Sequence, residues 1–285
     1  MSIVYLDGDY LPMAEARISP MDRGFLFGDG IYEVIPSYGG RMVGFSAHME
    51  RMQDGLKAID IKLDFSIHQW QTLCEQLMQR NGEGDLGIYL HVSRGADSKR
   101  AHAYPEGVAP TLFAFAFDIP PAPVPDRAAT KCYSVTTAED LRWKRCNIKS
   151  TALLGNVMHF NQSYRGGNNE TILYNSNGEL TEASACNVYI VKDGVVITPP
   201  TDHQILPGVT RLLLLKMLDQ KGGITVQERN VTLTELRNAD EVWLSSSTKE
   251  VAPVTQVDGE AIGNGEPGDL WLQAQTLFSQ HKYDY

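Results

Sequence analysis

The stretch TILYNSNGELTEASACNVYIVKDGVVITP, residues 171–199, decides the fold class of this chain. Short runs rich in Val, Ile and Tyr alternate with Asn177-Gly178 and Asp193-Gly194, pairs that supply the positive φ of a tight turn. The stretch therefore predicts consecutive strands joined by hairpins. Hairpins make antiparallel neighbours, whereas parallel strands need crossovers of roughly a dozen residues or more. A doubly wound parallel sheet is thereby disfavoured, and an α+β architecture is expected.

The same pattern extends outward. SIVYLDGDYLP predicts a hairpin turning at Asp7-Gly8-Asp9, and IYEVIPSY followed by RMVGF a second one turning at Gly39-Gly40. SAHMERMQDGLKAI carries Met49, Met52, Leu56 and Ile59 at helical spacing, with Ser46 as its expected cap. SIHQWQTLCEQLMQRNG predicts a helix capped by Ser66 and stopped at Asn81-Gly82, before strands at GIYLHVSRG and TLFAFAF. The proline-rich FDIPPAPVPDRAAT reads as an interdomain linker, centred on 119–130. It divides a smaller domain, 1–118, from a larger one, 131–285. In the latter, KCYSVTT and RCNIK are expected strands and STALLGNVMHFNQSYRGG a helix. VTRLLLLKMLDQKGG and GDLWLQAQTLFSQHK are further helices, and GITVQERNV and EVWLSSS further strands.

Composition narrows the function. The 285 residues are 42% hydrophobic and carry a net charge of −10, which disfavours nucleic acid or an anionic membrane surface as the main partner. No apolar run reaches membrane-spanning length, and the first residues lack a secretory pattern. Cys74, Cys132, Cys146 and Cys186 show no close pairing, so free thiols in a reducing cytoplasm are expected. No metal-ligand spacing occurs among the histidines and cysteines, so no metal is expected.

Several residues are candidates for chemistry. NIKSTALLGN, 147–156, sets Lys149 between a predicted strand end and a helix start capped by Ser150. A helix N-terminus disfavours a cation. Either Lys149 is a surface lysine at a junction, or its amine is kept uncharged for Schiff-base chemistry. In ILPGVTR, 205–211, Gly208 precedes Val209 and Thr210 at a helix start, where unpaired amides can bind phosphate. SSSTKE, 245–250, is a second hydroxyl-rich turn, Glu182 a carboxylate at a strand mouth, and Arg51 a helix-face cation. RGADSKRAHAYP, 94–105, gathers Arg94, Lys99, Arg100 and His102, a set able to hold a carboxylate.

Taken jointly, these segments resemble the class IV, or fold type IV, pyridoxal-phosphate aminotransferases. The resemblance is carried by DRGFLFGDGIYEV, HMER, NIKS with LLGNVM, LTEASACN, ILPGVTR and SSSTKEVAPV, in the family's order over nearly the whole chain. It implies a small N-terminal domain and a larger C-terminal pseudo-barrel domain that bears the cofactor lysine. It makes Lys149 the Schiff-base lysine and proton carrier, and Glu182 the partner of the pyridine nitrogen. Arg51, Val209, Thr210, Ser247 and Thr248 become phosphate-side contacts, and Leu206 the residue packed on the ring.

Within the family the similarity is greatest to D-amino acid aminotransferases. Tyr32, Arg100 and His102 then match the trap for the substrate α-carboxylate, the last two donated by a neighbouring subunit. A homodimer with shared active sites, acting on an amino acid and a 2-oxo acid, is implied. The alternatives on the same fold are a branched-chain L-amino acid or (R)-amine transaminase and an aminodeoxychorismate lyase. The chain departs from the subfamily at Ala183-Ser184-Ala185-Cys186, which replaces a run of serines. It departs again at Pro36-Ser37, which replaces a longer charged side chain near the substrate.

Overall fold

The computed structural model describes residues 2–82 and 84–285. Grouping by backbone proximity gives two compact units: Met1–Pro121 with Ile148–Leu153, and Ala122–Asn147 with Leu154–Tyr285. The segment around Lys149 thus clusters with the first unit, whereas the sequence assigns it to the second domain. Residues 119–130 contain no helix or strand, and the division falls among them, after Pro121.

The first unit is an antiparallel sheet backed by two helices. Its strands are β1 (Ile3–Leu6), β2 (Asp9–Pro12), β3 (Gly30–Tyr38), β4 (Arg41–Met42), β5 (Leu86–Ser93) and β6 (Thr111–Asp118), ordered β2-β1-β6-β5-β3-β4. Both predicted hairpins form. Asp7 and Gly8 take φ of 49° and 114°, and Gly39 and Gly40 of 55° and 77°, a region that glycine enters without steric cost. A short helix α1 (Arg23–Phe27) precedes β3, while α2 (Phe45–Ala58) and α3 (Ile67–Asn81) cover one face. Met49, Met52 and Leu56 of α2 and Trp70, Leu73 and Leu77 of α3 pack on Ile31, Ile35, Ile88 and Leu90. Ser66 caps α3 in a reciprocal box with Gln69, as its sequence predicts. Ser46 does not cap α2. Gly44, at φ 63°, starts that helix, and Ser46 falls inside its first turn.

The second unit is built on a mixed sheet of nine strands. They are β7 (Tyr133–Glu139), β8 (Glu170–Tyr174), β9 (Leu180–Ala183), β10 (Asn187–Lys192), β11 (Val195–Thr198), β12 (Val226–Glu228), β13 (Glu241–Ser246), β14 (Glu250–Val257) and β15 (Glu260–Ala261). The order is β12-β11-β10-β13-β14-β7-β8-β9, with β15 on β14, and the sheet curls as a half-barrel. Val188 and Ile190 of β10 and Val242 and Leu244 of β13 face one core with Val135, Ile172 and Leu236. Tyr189 and Trp243 alternate to the other face of the sheet, as the period of two requires.

The helices of this unit are α4 (Leu154–Arg165), α5 (Val209–Met217), α6 (Leu233–Arg237) and α7 (Asp269–His281). Two expectations fail here. RCNIK forms no strand, and Ser150 caps no helix. Ser150 instead bridges to Ile31, and α4 starts at Leu154. A carbonyl–amide pairing to β3 captures the segment that helix propensity alone would have recruited into α4.

Candidate active site

In the first unit the site is organised by the alternation of β3. Ile31, Glu33, Ile35 and Ser37 turn toward the helices, and Tyr32 toward the opposite face. Ser37 is therefore buried on the face shared by Ile31 and Ile35, and its neighbour Pro36 lies on the face of Tyr32. Glu33 is fully buried under α2, where His48 and Arg51 share a face at a spacing of three residues. Its carboxylate accepts from Arg51 Nε and Nη2, each at 2.7 Å, and pairs with His48 Nδ1 at 2.7 Å. Burial alone would raise the Glu33 carboxyl, but the Arg51 and His48 contacts overcome it and hold it well below the usual glutamate range. Burial pushes His48 down, against the pull of Glu33, and the charges of Arg51 and Lys149 add to the effect. Arg51, the expected phosphate contact, is thus engaged along its Nε–Nη2 edge by a buried carboxylate.

Lys149 is pinned by its backbone. Its carbonyl accepts from Tyr32 N at 3.0 Å, and Thr151 N donates to Gly30 O at 2.9 Å. Its Nζ lies 4.2 Å from the centre of the Tyr32 ring. Tyr32 stacks on Tyr89 at 5.7 Å, and the Tyr89 hydroxyl meets His91 Nδ1 at 3.1 Å. The structure therefore brings Lys149 and Tyr32 together. Arg100 and His102 gather elsewhere in the unit, exposed, with the Arg100 guanidinium 5.0 Å and the His102 ring 5.5 Å from the ring of Phe27.

The second unit carries the other candidates. Glu182 lies ahead of the NVYIV strand, β10, as expected, but within a short strand of its own, β9, and is almost entirely buried. It accepts from Arg142 Nη1 at 2.5 Å and from the Leu206 amide at 2.9 Å. Asn187 Nδ2 donates to Leu206 O at 2.9 Å, so the backbone at Leu206 is held from both sides. Arg142 also grips Asp140, through Nε at 3.0 Å and Nη2 at 2.7 Å, and is buried itself. Burial pushes the Glu182 carboxyl above its ordinary value, opposed by Arg142 and the Leu206 amide. Burial would raise Asp140 as well, but its contacts with Arg142 and Thr181 hold it low. Sequence reasoning missed Arg142, Asp140 and Asn187, since nothing in their local pattern marks a buried network.

Gly208 caps α5 without a side-chain bond to the helix, and Val209 and Thr210 are buried behind it. The first amides of any helix have no carbonyl partner within it. A Cβ at Gly208 would collide with Asn187 Oδ1, so only glycine fits against the Asn187–Leu206 pair. Ser247 and Thr248 form the tight turn between β13 and β14. Ser184 and Cys186 direct their side chains to the buried Glu170. Their departure from a serine run thus serves the interior.

The sequence profile of amino-transferase class IV matches residues 30–257. The chain belongs to the class IV aminotransferases.

Similarity to individual members spans almost the full length. The chain is 38% identical to a D-alanine aminotransferase of Bacillus licheniformis, over 96% of this chain and 94% of that one. It is 35% identical to a D-alanine aminotransferase of Staphylococcus haemolyticus, over 99% and 98%. Among solved structures, the branched-chain amino acid aminotransferase of Escherichia coli superposes with a TM-score of 0.90 at 24% identity, covering 98% of this chain and 93% of that one. At that identity the likeness is one of fold.

The residues of this class IV aminotransferase fit the family's cofactor, pyridoxal 5′-phosphate, by donor chemistry. An aldehyde calls for an amine, a phosphate dianion for a helix start with uncapped amides, and a protonated ring nitrogen for a carboxylate. Each donor type is present in the chain: an amine at Lys149, uncapped amides at the Gly208-led start of α5, and a buried carboxylate at Glu182. Among the described residues no cluster of three or more His, Cys, Asp or Glu is placed to hold a metal ion. No helix there is long and apolar enough to cross a membrane.

Proposed function

We propose that this aminotransferase moves the amino group of a D-amino acid such as D-alanine to a 2-oxo acid such as 2-oxoglutarate, in a ping-pong cycle. The observation that carries this reading is the near full-length identity with D-alanine aminotransferases, 35% or more in each relative compared. When bound, pyridoxal phosphate supplies an electron sink for the substrate Cα and a temporary carrier for the amino group. Lys149 Nζ would hold the cofactor at rest and, once released, take the proton from the substrate Cα. Glu182, kept in place by Arg142 and the Leu206 amide, would set a negative charge at the ring nitrogen. Arg51, the amides of Val209 and Thr210, and Ser247 and Thr248 would hold the phosphate. Leu206 would pack on the ring.

Tyr32, Arg100 and His102 are assigned to the substrate carboxylate. A guanidinium fork binds a carboxylate bidentately, and the tyrosine hydroxyl adds a donor. A fixed carboxylate seat then decides which Cα substituent meets Lys149. Purified enzyme supplied with 2-oxoglutarate and either alanine enantiomer is expected to turn over the D-form. Exclusive turnover of L-alanine, or of L-leucine in its place, would move the assignment to the branched-chain alternative.

The homodimer belongs to the same proposal. Leu154, Val157 and Met158 on α4 are exposed in the single chain, as are Leu141 and Trp143 in the same unit. Apolar side chains gathered on a surface mark an interaction site. Light scattering is expected to give twice the chain mass, and a monomer at micromolar concentration would count against shared sites. The four free thiols, three of them buried, support the cytoplasm as the setting.

A further inference from the structure

The loop between β5 and β6 carries Arg100 and His102 on its exposed side, yet its backbone is anchored to buried charge. Arg23, 3% exposed, directs its guanidinium into the loop. Its Nη1 donates to Ala101 O at 2.5 Å and to Ala103 O at 3.3 Å, and its Nη2 to His102 O at 3.3 Å. Its remaining edge is closed by Nε on Asp29 Oδ2 at 2.8 Å. Asp29 holds a second arginine as well. Arg94 donates to it through Nε at 2.8 Å and Nη2 at 3.0 Å. The Arg94 guanidinium then lies 3.5 Å from the centre of the Tyr104 ring. One carboxylate thus links two buried arginines, one bonded to three successive loop carbonyls and the other stacked on the next residue.

The cluster is anchored in turn. Asp22 caps α1 through the Gly24 amide at 2.8 Å and accepts from Ser93 and Thr111 at the ends of β5 and β6. Arg23 N donates to Gly95 O at 2.9 Å. Phe27, four residues along, offers the ring on which Arg100 and His102 rest. Asp29 immediately precedes β3, the strand that carries Tyr32. The loop is therefore referenced to the backbone that enters β3.

From this geometry we propose that Arg23, with Asp29 and Arg94, is a positioning residue that fixes the carbonyls of 101–103 and so sets Arg100 and His102 for the substrate carboxylate. The proposal rests on the assignment of those two residues to carboxylate binding. A guanidinium is suited to the task because it is planar, stays charged and presents several donors in one fork. A lysine ammonium keeps the charge but cannot reach three carbonyls and a carboxylate at once. Arg23 touches no substrate in this scheme, so its loss should weaken carboxylate binding and leave proton transfer at Cα alone.

The test is a set of variants of the cofactor-loaded enzyme, assayed with D-alanine and 2-oxoglutarate: Arg23→Lys, the pair Arg100→Ala with His102→Ala, and all three together. Arg23→Lys is expected to raise KM for both substrates about tenfold with kcat within about twofold of the parent. In the triple variant it should add nothing to the KM of the double, because residues that act through one another are not additive. A merely structural role would lower kcat and multiply through the triple variant, and that result overturns the proposal. So does an unchanged KM in Arg23→Lys while the double variant raises it, an outcome that leaves the carboxylate assignment standing. An unchanged KM in the double variant removes the assignment itself and the proposal with it. Should Arg23→Lys fail to fold, Tyr104→Ala is the second probe, since Tyr104 is 55% exposed and its ring meets the cluster only by stacking on Arg94. A rise in KM of about threefold at unchanged kcat is expected there, and no rise overturns the proposal.

Discussion

Replacing Lys149 by alanine is expected to slow amino transfer by about 10⁴-fold or more, since one side chain supplies both the covalent hold on the cofactor and the acid–base group. The fold should survive. The Lys149 backbone is fixed by its carbonyl on Tyr32 N at 3.0 Å and by the Ser150–Ile31 bridge. Thr151 Oγ1 on Gly28 O, at 3.0 Å, adds a third tie, and none of these uses the amine. Borohydride treatment followed by peptide mapping identifies the attached lysine. The parent should carry the phosphopyridoxyl group on the peptide containing Lys149, and the variant should carry none at an equivalent position. Label on another lysine, or substantial turnover by a folded Lys149→Ala enzyme, would remove the assignment.

Arg142→Met is expected to destabilise the enzyme by about 3–5 kcal/mol near neutral pH, the usual cost of stripping the partner from a buried charge. Arg142 serves two carboxylates, Glu182 at 2.5 Å and Asp140 at 2.7 Å. Both would be left in the interior without a counter-charge. The sign of the pH dependence follows from burial. Desolvation already raises Glu182 against the pull of Arg142, so without the arginine its folded value moves further above the unfolded one. A carboxyl raised in the folded state favours folding below its unfolded value, near 4.3, and loses that contribution as pH rises through the folded value. In the parent, Asp140 is lowered, so its contribution is present above its unfolded value and is lost as pH falls. Between pH 8 and pH 5 the Glu182 effect narrows the gap between variant and parent, and the Asp140 effect joins it only below about pH 4. Thermal midpoints at pH 8 and pH 5 test this, and a gap that is constant or wider at pH 5 contradicts it. Activity should fall along with stability, because Glu182 loses the contact that aims it.

Burial explains why the Arg142 network was not legible beforehand. A sequence shows an arginine two residues after an aspartate, a pattern found on many solvated surfaces. Only the approach of β9 and the 204–206 segment to residues 140–142 makes that arginine a counter-ion for a buried carboxylate. The same holds for Arg51. Its place on an amphipathic helix is plain from Met49, Met52 and Leu56, but its partner Glu33 lies on a strand 18 residues earlier.

What the sequence determined by itself was local. Alternation and Asn-Gly or Asp-Gly turns gave the antiparallel strands from 171 to 199, Ser66 and Gln69 gave the start of α3, and Gly208 marked the start of α5. These follow from backbone preferences and side-chain periods that act over a few residues. The tertiary structure decided where Lys149 belongs. Its helix-like neighbourhood was overruled by pairing with β3, which placed Ile148–Leu153 with the first unit. It also decided which charges are buried together, at Glu33 and Arg51, at Asp29 with Arg23 and Arg94, and at Glu182 with Arg142. The energy of a buried charge is set by what surrounds it in space, and pairs as far apart as Glu33 and Arg51, 18 residues, or Asp29 and Arg94, 65 residues, leave no trace of that in a local pattern.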